Sequence, residues 1–229
     1  MKNNFMSSLL IAILLATTSA YAQTTKQEHY SAAVIPKNMS VQEKKKRFFA
    51  LLVPAVNEVY NQLQKEYLQA KELIQKDPNN PKIKQLMKEY AAKNPQDLLV
   101  RMKPHPRSIA LAQAAMESAW GTSRFFKIAN NVFGVWSFNK NEPRVAAGKK
   151  RGNTTIYVKK YATIADSIRD YYKILATGKV FEKFRQAKMK TDDPYVLVNY
   201  LDKYSERKEA YCKELAAMIR HNKLTKYDQ

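Results

Sequence analysis

The chain has 229 residues, 45% of them hydrophobic and only five of them glycine. That is enough for one substantial core in a mostly helical protein and short of two full-sized domains. Forty basic residues stand against 20 acidic ones, a net charge of +20, which either draws the chain to polyanions such as acidic envelope polymers or serves as a lysine-rich solubilising surface. The lone Cys212 excludes an internal disulfide framework, and His29, His105 and His221 stand in no metal-ligand spacing, so neither a metal site nor a cofactor is expected.

In chain order, Met1-Lys-Asn-Asn, the apolar run from Leu9 to Ala16 and the small-residue site Ala20-Tyr-Ala22 have the form of a signal peptide over residues 1–22. Cleavage near Ala22 would give an exported chain, periplasmic or secreted, with no transmembrane segment in its mature form. Residues 23–40 read as a linker. An N-terminal helical extension follows over 41–95: apolar residues from Phe48 to Leu68 recur at helical steps across Val41 to Lys76, with Pro54 expected to bend or divide the helix. Asp77 to Pro81 is a break, Ile83 to Ala92 a further helix, and Asn94-Pro95 its end.

A core over 96–180 begins with the short apolar run Leu98 to Met102. The alanine-rich run from Ser108 then predicts a helix N-capped by Ser108 and closed by Gly121. A helical turn and an aromatic segment, Asn130 to Trp136, come next. Residues 144–161 predict a hairpin with its turn at Gly148 to Asn153, and Thr163-Ile-Ala-Asp166 a capping box opening a helix to Gly178. A C-terminal helical tail over 181–229 is broken at Asp193-Pro194 and holds two or three helices to about Asn222.

One acid stands out. Glu117, in Met116-Glu-Ser-Ala-Trp-Gly121, lies in an apolar helix pattern and shares a face with Gln113 and Trp120. A carboxyl half removed from water has its pKa raised and suits a general acid in a sugar cleft. Glycoside hydrolysis usually needs a second carboxylate, and between Glu117 and Asp166 the chain has only Glu142, which reads equally as a loop acid beside Pro143. Trp120, Phe133, Trp136, Tyr157 and Tyr161 offer rings for stacking on sugars or for the core. Gln113, Ser118, Asn130 and Asn131 suit hydroxyls and acetamides, or the fold itself.

Ala112-Gln-Ala-Ala-Met-Glu-Ser-Ala-Trp-Gly-Thr-Ser123 and Asn130-Asn-Val-Phe-Gly-Val-Trp136 together resemble the core motif of the peptidoglycan-hydrolysing N-acetylglucosaminidases, the glucosaminidase domain of glycoside hydrolase family 73. Phe48-Phe49, Leu52-Val-Pro54, Tyr204 to Tyr211 and Met218-Ile219 resemble its Bax-like branch. The resemblance implies an α+β, mainly α, lysozyme-like fold in which a small β-hairpin lobe flanks a cleft. It implies Glu117 as general acid, Tyr161 as a cleft tyrosine, Glu142 loosely as the β-lobe acid, and peptidoglycan or another N-acetylglucosamine-containing glycan as substrate. Substrate-assisted catalysis with a single acid is compatible with the branch. Lys208 departs from it, standing where the branch usually has glycine.

Three alternatives remain open at this point: a lytic transglycosylase, a cationic glycan-binding envelope protein without catalysis, and a nucleic-acid binder. The last has only charge in its favour; the export signal and the lack of a recognisable motif argue against it.

Overall fold

A computed structural model describes residues 30–151 and 154–229; the expected signal peptide falls outside them. Helix α1 spans Val41–Lys76. A capping box opens it: Ser40 Oγ accepts from the Glu43 N–H at 3.2 Å and Glu43 Oε2 from the Ser40 N–H at 2.7 Å. Pro54 lies inside the helix, which continues through it undivided. Phe48 and Leu52 before it and Val56, Val59 and Leu63 after it belong to one buried stripe. Packing along that stripe outweighs the ~3 kcal/mol that a mid-helix proline costs.

The far half of α1 carries a smaller cluster in which Tyr67, Ala70 and Ile74 meet Ile83, Leu98 and Met102. The last three come from α2 (Pro81–Glu89) and α3 (Pro95–Met102), opened by the side chains of Asn80 and Asn94. Helix α2 therefore starts and ends earlier than its periodicity predicts.

The main core gathers α1, α4 (Arg107–Glu117), α6 (Ile164–Thr177) and α9 (Glu209–His221). Helix α4 is the axis of this core: every residue from Ser108 to Ala115 is buried. Its alanines let α1 and α9 approach closely from separate sides.

Ser108 is not the cap of α4. The helix starts one residue earlier, after Pro106, with no side-chain cap, and the Ser108 N–H donates to Asp228 Oδ1 at 2.8 Å. An acid from the chain terminus thus does the work expected of a local hydroxyl.

Helix α5 (Arg124–Ala129) leads to the hairpin of β1 (Arg144–Arg151) and β2 (Thr154–Lys159). The strands are antiparallel, with an irregular register between Ala146 and Lys150. Gly148, at φ +79°, lies within that irregular stretch, so Gly148 to Arg151 belong to β1 rather than to the predicted turn. Residues 135–137 flank β2 through bonds from the Ser137 N–H to Tyr157 O (2.8 Å) and from the Lys159 N–H to Val135 O (2.9 Å). The Thr163–Asp166 capping box opens α6 as predicted. Helices α7 (Glu182–Lys188) and α8 (Pro194–Leu197) then lead to α9. The α+β, mainly α class holds, and the tail contributes Tyr211, Leu215 and Ile219 to the main core.

Lys208, before α9, has φ +48° and ψ −120°, the backbone of a turn position dominated by glycine. Lys208→Gly is expected to stabilise the fold by about 1 kcal/mol, read as a higher urea midpoint at unchanged m. A lower midpoint would show that the conformation is not strained.

Candidate active site

Helix α4 ends at Glu117 and the chain then turns in an unusual way: Ala119 (φ +50°), Trp120 (φ +60°) and Gly121 (φ +70°) are three successive left-handed residues. Such backbone persists for non-glycine residues only where the surroundings over-determine it. Ser118, fully buried, ties the turn from within. Its Oγ donates to Ala114 O at 2.5 Å and accepts from the Gly121 N–H at 2.8 Å. Its carbonyl accepts the N–H groups of Thr122 and Ser123, while the Trp120 N–H donates to Ala115 O.

Helix α1 holds the turn from outside. The Trp120 ring meets Phe48 and Phe49 edge-on, at centroid distances of 5.2 and 5.8 Å, with the Lys45 ammonium 4.9 Å from its centre. Arg47, 1% exposed, donates from Nη1 to Gly121 O at 2.8 Å. Its Nη2 reaches the carbonyls of Ser31, Ala32 and Val34. One buried guanidinium thus clamps segment 31–34 and the left-handed turn together; burial lowers its pKa, but a guanidinium stays charged and supplies several donors in one plane.

Glu117 itself is open to solvent on one side. Its other side terminates a buried hydrogen-bond chain. Tyr211 Oη, from α9, donates to Glu117 Oε1 at 3.1 Å and accepts from Gln113 Nε2 at 2.8 Å. Gln113 Oε1 in turn accepts from Tyr171 Oη at 2.5 Å, and His105 Nε2 lies 3.0 Å from that hydroxyl. Because Tyr171 has given its one proton to Gln113, the imidazole must donate, which places the His105 proton on Nε2. Burial, then the charge of Lys188, push the His105 pKa well below its ordinary value and keep the ring neutral. The chain therefore has one polarity, with every donor aimed towards Glu117.

Protein around the carboxyl desolvates it and raises its pKa; the Tyr211 hydrogen bond and the Arg207 charge act in the opposite sense but do not cancel the effect. Stacking fixes the tyrosines: Tyr211 on Tyr204 at 5.6 Å and Tyr171 on Phe133 at 4.0 Å.

A second cluster lies at the base of the β-lobe. Asp170 Oδ2 accepts from Tyr161 Oη at 2.6 Å and from Lys159 Nζ at 2.9 Å, while Glu142 Oε2 is 3.9 Å from the same ammonium. Burial and Asp170 drive the Tyr161 pKa far upward, so its hydroxyl remains a donor. Tyr161 also feels the charge of Glu142, and Tyr204 that of Glu117.

Several residues expected to meet substrate are occupied by the fold. Gln113 and Ser118 are fully buried and bonded as described. Asn131, 1% exposed, holds Val135 through both backbone groups and Lys159 O. Asn130 adopts the left-handed cap of α5 and donates to Tyr161 O and Ala162 O. Phe133 is core, and Trp120 is enclosed by α1. Trp136, at 43% exposure, faces solvent.

Sequence reasoning missed Tyr211, Tyr171 and His105 as partners of the acid, and Arg47 and Asp170 as supports. The quoted tail resemblance at Tyr204 to Tyr211 was the available signal for Tyr211.

A carboxylic acid at the end of a buried helix, in a chain that also has a small β-hairpin lobe, fits a glycoside hydrolase. Residues 92–224, more than half of the chain, match the glucosaminidase family, described as mannosyl-glycoprotein endo-beta-N-acetylglucosaminidase, and the chain belongs to that family. The match runs past the predicted core boundary at 180 and takes in α9. The chain is 30% identical over 131 residues to the protein Bax of Escherichia coli (strain K12), covering 55% of this chain and 46% of Bax. It thus spans about half the length of that curated relative.

Among solved structures it is similar to the catalytic domain of the autolysin Auto from Listeria monocytogenes (21% identity, 83% of this chain and 90% of that one, TM-score 0.49). It is also similar to the glycoside hydrolase domain of FlgJ from Salmonella typhimurium (20% identity, 62% and 89%, TM-score 0.42). The family assignment rests on the sequence match.

Arg47→Met is expected to destabilise the protein by about 2–4 kcal/mol in urea denaturation, because it leaves several carbonyls without a charged donor. It should also expose residues 31–34 to limited proteolysis. Unchanged stability and cleavage would contradict the clamp.

Proposed function

We propose that this protein is an exported glycoside hydrolase cleaving the β-1,4 bond after N-acetylglucosamine in peptidoglycan or a related glycan, with Glu117 as general acid. The hydrogen bond from Tyr211 carries this reading. With Oε1 occupied by a donor, a protonated Glu117 holds its proton on Oε2, the oxygen left free for the leaving group. The raised pKa keeps that proton in place at higher pH than an ordinary glutamate would. Glu117 then gives its proton to the glycosidic oxygen as the C1–O bond breaks, and water supplies the hydroxyl at C1.

Glu142 is the proposed second carboxylate. Its support is its place with Lys159, Asp170 and Tyr161 at the base of the β-lobe. Tyr161 serves there as a positioning residue for Asp170. The glucosaminidase family supports an N-acetylglucosamine-containing glycan as substrate. The signal-like residues 1–22 support export. The net charge of +20 suits retention on acidic envelope polymers.

Mass spectrometry of digested cell wall should show reducing-end N-acetylglucosamine; 1,6-anhydro-muramic products would instead identify a lytic transglycosylase. Glu117→Gln should lower turnover by about 10²–10⁴-fold, and wild-type activity should fall as pH rises through the raised Glu117 pKa. A Glu117→Gln chain that clears wall as fast as its parent would leave a glycan-binding role.

A further inference from the structure

The β-lobe carries a groove of about 690 Å³ between residues 136–140 and the hairpin. Its apolar wall is unusually bare: Phe138 is 85% exposed and Trp136 43%, their ring centroids 6.2 Å apart. Such a paired exposure of large rings marks a contact surface more often than a solvated one. Its charged groups are Lys140 and Arg144, the latter stacked 4.0 Å over Tyr157. The lining contains no carboxylate, and neither cation is in an ion pair among the described residues. The separate cavity of about 420 Å³ between α1, α2, α3 and α6 differs in this respect, with Glu66, Glu89, Asp166 and Asp170 set among its bases.

Neutral N-acetylated sugars would be served by aromatic faces and uncharged hydrogen-bonding groups. Two cations without an acid call for an anion as well. A short peptide with methyl-bearing side chains and free carboxylates meets both walls of the groove.

We infer that this groove binds the carboxylate-bearing peptide stem carried by the glycan, an inference resting on peptidoglycan as the substrate. The end of strand β2 and the two residues after it connect the groove to the acid cluster: from Tyr157 to Tyr161 is four residues, at most about 13 Å of chain. The peptide would thus be held on the β-lobe beside the sugar chain entering the cleft.

The test uses the full chain carrying Glu117→Gln, so that ligand is not consumed. Calorimetry compares a soluble muropeptide, the disaccharide with its peptide attached, with the same disaccharide freed of peptide. Adding Lys140→Gln and Arg144→Gln should weaken muropeptide binding by about tenfold or more and leave the peptide-free disaccharide unaffected. Arg144→Lys, which keeps the charge, should retain much of the affinity, and an unchanged melting temperature excludes a folding defect.

Equal weakening for both ligands would make the groove a sugar subsite and overturn the proposal; so would no weakening for either. Displacement of muropeptide-independent binding by a phosphate-rich wall polymer, with muropeptide affinity unmoved, would assign the cations to phosphate and overturn it too. Failure of the hydrolase reading shows separately, in wild-type chain that releases no reducing ends.

Discussion

The hydrogen bond from Tyr211 to Glu117 is the contact on which the rest of the site depends. It joins α9, the last helix of the chain, to the end of α4, and it closes a line of donors that begins at the buried His105. Each member of that line is oriented by its neighbour, because each hydroxyl has one proton and the amide has distinct ends. A carboxyl at the end of a helix would otherwise rotate freely. Here one oxygen is fixed and the other is presented to solvent, which is the asymmetry a directed proton donor requires.

The same acid is followed at once by strained backbone, and the two features are connected. Three left-handed residues let the chain leave α4 sharply, so that Glu117 ends the helix with no further helical turn to bury it. The strain is tolerated because Ser118, Arg47 and the Phe48–Phe49–Trp120 cluster hold the turn from both sides. Helix α1 is in this sense part of the scaffold of the proposed active site, although it precedes the region of family similarity.

The helices were largely legible in the sequence because amphipathic spacing and local caps are short-range signals, and both ends of α1 fall where the pattern of Val41 to Lys76 puts them. Pro54 does not divide α1 because its local cost is overridden by burial on both sides of it. Ser108 misled because its partner, Asp228, lies 120 residues away. The acid itself could be found, since a lone glutamate in an alanine-rich helix is conspicuous. Its partners could not: Tyr211 is 94 residues distant and Arg47 is hidden in the basic run Lys44 to Arg47. Asp170 lay just past Asp166, where the count of acids after Glu117 stopped. The polar residues Gln113, Ser118 and Asn131 were recognisable as special, but composition does not distinguish a group that meets substrate from one that holds the site in shape.

The central claim, that Glu117 is a desolvated acid whose raised pKa is held back in part by Tyr211, is tested most directly by titrating its carboxyl carbon by ¹³C NMR in the wild-type and Tyr211→Phe chains. The account predicts a pKa above the ordinary glutamate range in the wild type. It predicts a further rise in Tyr211→Phe, because the lost hydrogen bond favours the ionised form. An ordinary pKa in the wild type, or one that is unmoved or lower in the variant, would contradict it.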